Sequence, residues 1–389
     1  MEKANVFLKK IINQILPDKK TERELKGLAR KVLLVAKKKA KKYKADAMIV
    51  GSITRDTWLP DKKEFDIFVL FPKELSSIDL EKKGLDVGRG IAKEVNGTFT
   101  LKYAQHPYVS IKINDVEVDI VPCYKIKDAS ELKSSVDRTP FHVKYLKEHL
   151  KKSQAKEVRL LKRFLKSHEL YGADAKTQGF SGYLCELLII KYKSFLNLLK
   201  SAAEWNIQEI IDLEGFYKKG EYPMLKKLFK DQPLIVIDPT DKNRNVAAAL
   251  SCSNFYKFKK ISYEFLKNPC EETFFGKTNY MTDFEFSRMK LKRGTEILLI
   301  KFKPPKVSPD ILWPQLRKFA ERIASILEER KYEFKVYGKA AYTDENELAI
   351  VLLELEVYYL PNVQKIVGPI VFDVKNSKAF LEAHKNHLV

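Results

Sequence analysis

Glu64 and Asp66 in EFDIFVLF, with Asp119 in VEVDIVP, are the residues of this 389-residue chain best placed to do chemistry. Both stretches are rich in Val, Ile and Phe and predict β-strands. Side chains alternate faces along a strand, so Glu64 and Asp66 project on one side, about 7 Å apart. A third carboxylate from a separate strand can close that pair into an oxygen cage, the donor type that suits Mg²⁺ held together with phosphates. Two such ions would stabilise the attacking and leaving oxygens of an in-line phosphoryl displacement. The alternative is a set of outward-facing strand acids, and the segment ahead of them weighs against it.

That segment is MIVGSITRDTWL, an apolar strand over 45–50 running into Gly51-Ser52 and then Arg55. Glycine lets backbone approach a ligand closely, and exposed N–H groups with the Ser52 hydroxyl can hold phosphate. A strand, Gly-Ser, an acid-x-acid strand shortly after and a later acid in an apolar strand form a specific pattern. It resembles the nucleotidyltransferase superfamily that includes DNA polymerase β. Within it, GSITRDTWLPDKKEFDIFVLFP is similar to the archaeal (class I) tRNA CCA-adding enzymes. VDRTPFHVKYL, EVRLLKRFLKSHELYGA, GFSGYLCELLIIKY, DPTDKNRNVAAALS and, near the C-terminus, GPIVFDVKNSKAFLEAHK resemble that family in order and spacing.

The resemblance implies template-independent addition of C, C and A to the 3′ end of tRNA from CTP and ATP. Glu64, Asp66 and Asp119 would be the catalytic and metal-holding carboxylates, with two Mg²⁺ as cofactor. Ser52 and Arg55 resemble phosphate-contacting positions of the nucleotide-binding turn. His142, Lys162 and Tyr171 match positions that bind the incoming nucleotide: Lys162 offers a point charge and Tyr171 a hydroxyl. Arg244 stands where the family reads the base, and a guanidinium can donate to cytosine O2 and N3 or to adenine N1. Taken alone, Arg244 reads as an arginine near a helix N-terminus, an unfavourable place for positive charge. The implied partners are tRNA, through its acceptor stem and T arm, the two nucleotides, no membrane, and a homodimer as one allowed assembly. A poly(A) polymerase or oligoadenylate synthetase would share the catalytic strands, and a non-catalytic RNA-binding protein could keep the scaffold. RTPFH, RFLKSHELYGA and DPTDKNRNVA weigh against the first two, and the three carboxylates against the third.

Composition agrees. A net charge of +21 and 32% charged residues point to a polyanionic partner. No apolar run approaches the roughly 18–20 residues that span a bilayer, and the Lys- and Glu-containing start MEKANVFLKKIINQIL differs from a signal peptide. Cys123, Cys185, Cys252 and Cys270 are isolated, without a C-x-x-C pair, which predicts buried free thiols in a reducing cytoplasm rather than zinc or disulfides. The histidines His384 and His387 read as surface residues, and Trp58, Trp205 and Trp313 as packing residues.

At this length more than one core is expected, and the pattern predicts an α+β multidomain chain. Residues 1–150 form a polymerase-β-like nucleotidyltransferase head, a mixed sheet plus helices. Its strands are expected near 45–50, 64–71, 98–104, 108–113 and 116–121, with a helix over 78–95. Thr21-Glu22-Arg23-Glu24 reads as a capping box opening an earlier helix, with Leu25, Leu28, Val32 and Val35 as its stripe. Residues 151–206 form a helical neck with apolar residues at helical spacing. Residues 207–272, with a strand at PLIVID and a helix opening near Asn245, form an α/β body, and the family resemblance implies that 360–389 completes it. Residues 273–359 read β-α-β-β with basic flanks, an RNA-binding-like tail for tRNA.

Overall fold

The computed structural model describes residues 2–103, 106–276, 281–329, 333–360 and 366–386. The chain divides into two compact units, Met1–Thr278 and Asn279–Val389.

The first unit opens with α1 (Glu2–Ile15) and α2 (Lys19–Lys41). Asp18, not Thr21, caps α2: its carboxylate accepts from the Lys20 and Thr21 amides at 2.9 and 2.8 Å, satisfying donors the first turn leaves open. The helix therefore starts one turn fragment earlier than its Thr-x-x-Glu pattern suggests. Leu25, Ala29, Val32, Ala36 and Ala40 are its buried stripe.

A five-stranded sheet of β1 (Asp46–Val50), β2 (Glu64–Pro72), β3 (Thr98–Tyr103), β4 (Pro107–Ile113) and β5 (Val116–Lys125) follows, in the order β1-β2-β5-β4-β3 among the described residues. Only β2 and β5 run parallel, as a crossover connection allows; α3 (Ser77–Glu94) supplies it. Phe65, Ile67, Val69 and Phe71 of β2 and Val118 and Ile120 of β5 point into one core with α2 and α3. Gly88 of α3 lies so near β4 that an added Cβ would come within 2.6 Å of Val109, so a larger residue would push helix and sheet apart.

Alternation sends the even-numbered β2 residues to the opposite face. Phe68 packs there with Val50 and Cys123 beside Val143, the last carried by α4 (Thr139–His149). Next come three helices, α5 (Ala155–Ser167), α6 (Gly182–Tyr192) and α7 (Phe195–Glu204). A lesser sheet is built by β6 (Glu209–Ile211), β7 (Leu234–Asp238) and β8 (Asp241–Asn245), with α8 (Tyr222–Leu228) before β7. α9 (Cys252–Lys267) and α10 (Glu272–Phe275) end the unit. α5, α6, α7 and α9 share one large core, in which Phe164, Phe195, Phe265 and Phe274 make mutual edge and tilted ring contacts.

The helix expected to open near Asn245 begins instead at Cys252, capped by Ser251. The Asn245 side chain explains the delay: Oδ1 accepts from the Val236 and Ala247 amides, and Nδ2 donates to Leu234 O. These bonds hold 241–245 as the return strand of a hairpin, so Arg244 sits on β8. Trp58, Trp205 and Trp313 are buried, as expected of packing residues. Cys123 and Cys185 are buried, but Cys270 is only partly covered and Cys252 is exposed in the first turn of α9, so the thiols are not all core groups.

In the second unit, α11 (Asp283–Arg293) starts at a Thr282–Glu285 capping box. β9 (Glu296–Phe302), α12 (Pro309–Leu327), β10 (Lys335–Thr343) and β11 (Ala349–Val357) give the β-α-β-β order read from the sequence. The strands form an antiparallel sheet in the order β10-β11-β9. Ala320 and Ala324 of α12 pack against Val351, Leu353 and Leu355. α13 (Val374–His384) closes the described chain; His384 Nδ1 lies 2.8 Å from Phe380 O, and His387 is outside the described residues. No helix among the described residues is long and apolar enough to cross a membrane.

Candidate active site

The parallel pairing of β2 and β5 places Asp66 opposite Asp119 and Glu64 opposite Glu117. Neighbouring strands lie about 4.8 Å apart, so register alone brings carboxylates 53 positions apart in sequence onto one patch of one face. Ser110 of β4 stands opposite Asp119, and its hydroxyl lies 2.5 Å from Asp119 Oδ1 and 2.9 Å from Glu117 Oε1. Lys102 pairs with Glu117 and stands 3.8 Å from Asp119, while Lys62 pairs with Glu64. Burial, then the charges of Asp119 and Glu64, pushes the Asp66 carboxyl up to about 7.

β1 pairs with β2 so that Val50 faces Asp66, and the chain then turns at Gly51. Gly51 has φ 79°, and a Cβ there would stand 2.9 Å from Asp66 Oδ2. Both the left-handed backbone and the close approach require glycine. The turn Ser52–Arg55 follows and is fixed from α5 and α6. Arg55 closes a fork on Glu186 of α6, Nε to Oε1 at 3.1 Å and Nη2 to Oε2 at 2.9 Å, with the two side chains only 10% and 2% exposed. Thr57 Oγ1 donates to the same Glu186 at 2.6 Å. From α5, Lys162 Nζ donates to Thr57 O at 3.0 Å and Arg159 Nε to Trp58 O at 2.9 Å.

Ser52, Arg55, His142, Lys162 and Tyr171 line one cavity of about 250 Å³, with Gly51, Thr139, Gly182, Tyr183 and Glu186 completing its wall. Lys162 lies 5.9 Å from the Tyr171 ring centroid, and burial lowers its pKa. Burial also raises the Tyr171 phenol, which stays a protonated donor. Gly182, at the start of α6, leaves the space beside Tyr171 OH and Lys162 Nζ open: a Cβ there would sit 3.3 and 3.7 Å from them.

Arg244 is not part of that wall but is tied to it. Its Nη1 donates to Asp238 Oδ2 at 2.7 Å, and the same oxygen lies 2.9 Å from His142 Nε2. Tyr183 OH donates to Asp238 Oδ1 at 3.2 Å, and the His142 and Tyr183 rings stack with centroids 3.9 Å apart. Burial opposes ionisation of Asp238, yet the His142 contact, the Thr240 amide and Arg244 together hold its carboxyl well below the usual range.

Glu186, Asp238, Tyr183 and Ser110 are site residues the sequence reading did not single out. Glu186 carried a signal, a lone acid inside the apolar helix GYLCELLIIKY, because an acid there must find a buried partner. Asp238 ends an otherwise apolar strand; Tyr183 and Ser110 carried none.

Fold and site together define a nucleotidyltransferase: acidic strands behind a glycine turn, with a cationic cavity walled by residues of α4, α5 and α6. Three family models match successive parts of the chain: a nucleotidyltransferase domain over residues 29–142, the second domain of tRNA nucleotidyltransferase over 156–275 and the C-terminal domain of CCA-adding enzymes over 293–388. The CCA-adding enzyme of Methanocaldococcus jannaschii is 40% identical over 97% of this chain and 84% of its own length. That of Archaeoglobus fulgidus is 36% identical over 98% and 83%. The chain belongs to the CCA-adding enzyme family. Among solved structures, a cytoplasmic RNA terminal U-transferase superposes with a TM-score of 0.52 at 13% identity, covering 70% of this chain and 96% of that one. Cid1, an RNA terminal uridylyl transferase, gives 0.51 at 13%, covering 69% and 95%. These two show the shared fold.

Enzymes of this class generally use a divalent metal. The donor set fits one, since carboxylate and hydroxyl oxygens are what hard cations take. The mutual repulsion felt at Asp66 is also what a cation relieves. Among the described residues the carboxylates do not converge as a closed group of three ligands, Glu64 being turned to Lys62 and Asp119 to Ser110.

Proposed function

We propose that this protein adds C, C and A to the 3′ end of tRNA from CTP and ATP, without a nucleic-acid template. The observation that carries the reading is the cavity that gathers Ser52, Arg55, His142, Lys162 and Tyr171 beside the glycine turn that abuts Asp66. Such a transfer asks little covalent chemistry of protein; it needs positioning and charge neutralisation around a triphosphate.

In this reading Glu64, Asp66 and Asp119 hold two Mg²⁺, which would lower the pKa of the primer hydroxyl and balance charge on the leaving group. The Gly51-Ser52 turn receives the phosphates. Lys162 offers a point charge, whose charged form burial disfavours and an adjacent triphosphate favours, and Tyr171 donates its hydroxyl to phosphate or ribose. Three of the five guanidinium N–H groups of Arg55 are engaged by Glu186 and Thr54, which leaves about two for phosphate. Arg244 and His142 face the nucleotide from the far side, Arg244 donating to the base edge. Residues 1–150 act as catalytic head, 151–206 as neck, and 207–272 with 360–389 as body. Residues 273–359 dock the acceptor stem and T arm by phosphate and shape contacts. A cytoplasmic setting and a homodimer are consistent with this reading.

The test is a tRNA ending at its discriminator base, offered each nucleotide separately. CTP alone adds two residues and stops; ATP supplied next adds one. Growth with ATP before any C, or a long ladder of A, would overturn the reading in favour of a poly(A) polymerase.

A further inference from the structure

Asp238 is a buried charge in the first unit. Its side chain is fully buried, yet it ends a strand whose other residues, Leu234 to Ile237, are apolar and equally buried. It accepts from three side chains of different elements, two of which line the nucleotide cavity: His142 on α4, Tyr183 on α6 and Arg244 on β8. Thr240 closes the far side, its amide and Oγ1 reaching Asp238 Oδ1 at 2.9 and 2.8 Å. A buried carboxylate is costly unless its lone pairs are all met. Here two of the four residues that meet them, His142 and Arg244, are groups that the functional reading assigns to the nucleotide.

The hairpin geometry makes this arrangement narrow. β7 and β8 pair at Asp238 and Asp241 with an irregularity just before, which carries Arg244 back beside the residue six positions earlier. Arg244 is about one-third exposed, so without its bond to Asp238 a long, flexible side chain would sample many rotamers. Fixing a side chain of this kind costs conformational entropy, and the Asp238 bond sets it before the nucleotide arrives. His142 is fixed by the same oxygen and by stacking on Tyr183.

We propose that Asp238 is a positioning residue for base selection, one buried carboxylate that orients Arg244 and His142 together, so that nucleotide choice depends on the charge at position 238. The proposal rests on the reading of Arg244 as the base-contacting residue. It adds that Arg244 reads correctly only while Asp238 holds it.

The test measures kcat and KM for CTP, ATP and UTP on truncated tRNA, in the wild type, Asp238→Asn, Arg244→Leu and the double variant. Asp238→Asn keeps the shape and removes the charge. Its preference for CTP over UTP should fall by about tenfold, the scale of one charge-assisted hydrogen bond. The loss should lie in discrimination, with kcat for CTP changed far less than its KM. The double variant should discriminate no worse than Arg244→Leu alone, because Asp238 acts through Arg244. Thr240→Val, outside the cavity wall, removes only one bond to Asp238 and should move selectivity the same way by about threefold; it carries the test if Asp238→Asn does not fold. Wild-type selectivity in a folded Asp238→Asn or Thr240→Val protein would overturn the proposal, even with a lowered melting temperature. So would full additivity in the double variant. If Arg244→Leu itself keeps wild-type selectivity, the base-reading role of Arg244 fails, and a selectivity loss confined to the Asp238 variants would then overturn the route through Arg244.

Discussion

Outside Glu64, Asp66 and Asp119, Glu186→Ala is a perturbation of large consequence. Glu186 is 2% exposed and receives a two-pronged bond from Arg55 and a third from Thr57. Removing it leaves the Arg55 guanidinium, itself only 10% exposed, without a counter-charge in a dry wall. Breaking one partner of a buried ion pair costs about 3–5 kcal/mol. A protein unit of this size loses about 2–4 °C of melting temperature per kcal/mol, so the fall should be about 6–20 °C. The nucleotide site should suffer with it, since the turn that receives the phosphates is anchored there: KM for CTP and for ATP should rise together, with the preference between them unchanged. A melting curve and single-nucleotide kinetics read both. Arg55→Met with Glu186→Leu separates the two effects, because an apolar pair of similar volume is often neutral for stability. It should recover most of the melting temperature and none of the nucleotide affinity. A single variant melting within about 2 °C of wild type, or a rise in KM for only one nucleotide, would refute the reasoning.

Asp66→Ala or Asp119→Ala should abolish incorporation of both CMP and AMP while tRNA binding in a filter assay is retained, since one carboxylate patch serves every addition. Gly51→Ala should cut activity severely, because its Cβ meets Asp66 Oδ2 at 2.9 Å on a left-handed backbone; kinetics on a variant shown folded by circular dichroism would check it. Asp238 is held below the normal carboxylate range, so its contribution to stability is present above the unfolded value of about 4 and is lost as pH falls through the folded value. The melting-temperature gap between wild type and Asp238→Asn should close as pH falls below about 4, and a gap that widened over that range would contradict the sign. The logarithm of the tRNA binding constant should fall linearly with log salt, the affinity dropping about a thousandfold between about 50 and 200 mM if six or more phosphates are neutralised; fluorescence anisotropy across that range measures it.

The sequence by itself determined the local half of this site. Period-two alternation placed Glu64 and Asp66 on one face, because strand geometry depends only on neighbouring residues. The same locality gave the five strands of the head, the neck helices and the β-α-β-β order of residues 296–357, whose apolar patterns were periodic and uninterrupted. Resemblance in motif order gathered Ser52, Arg55, His142, Lys162 and Tyr171 before any geometry was known, and these five share one cavity. Other features depended on the tertiary structure. The register of β2 against β5, which sets Asp66 beside Asp119, arises from a crossover through α3 and has no local code. Arg244 was read near a helix start, whereas Asn245, by bonding across to Leu234 and Val236, keeps 241–245 as a strand. Asp18, not Thr21, caps α2, because its carboxylate accepts from the open Lys20 and Thr21 amides. The Glu186 and Asp238 networks join residues 131 and 96 positions apart in sequence. A buried charge takes its partner from whatever the fold brings within about 3 Å, and that is settled by packing, not by the residues on either side of it.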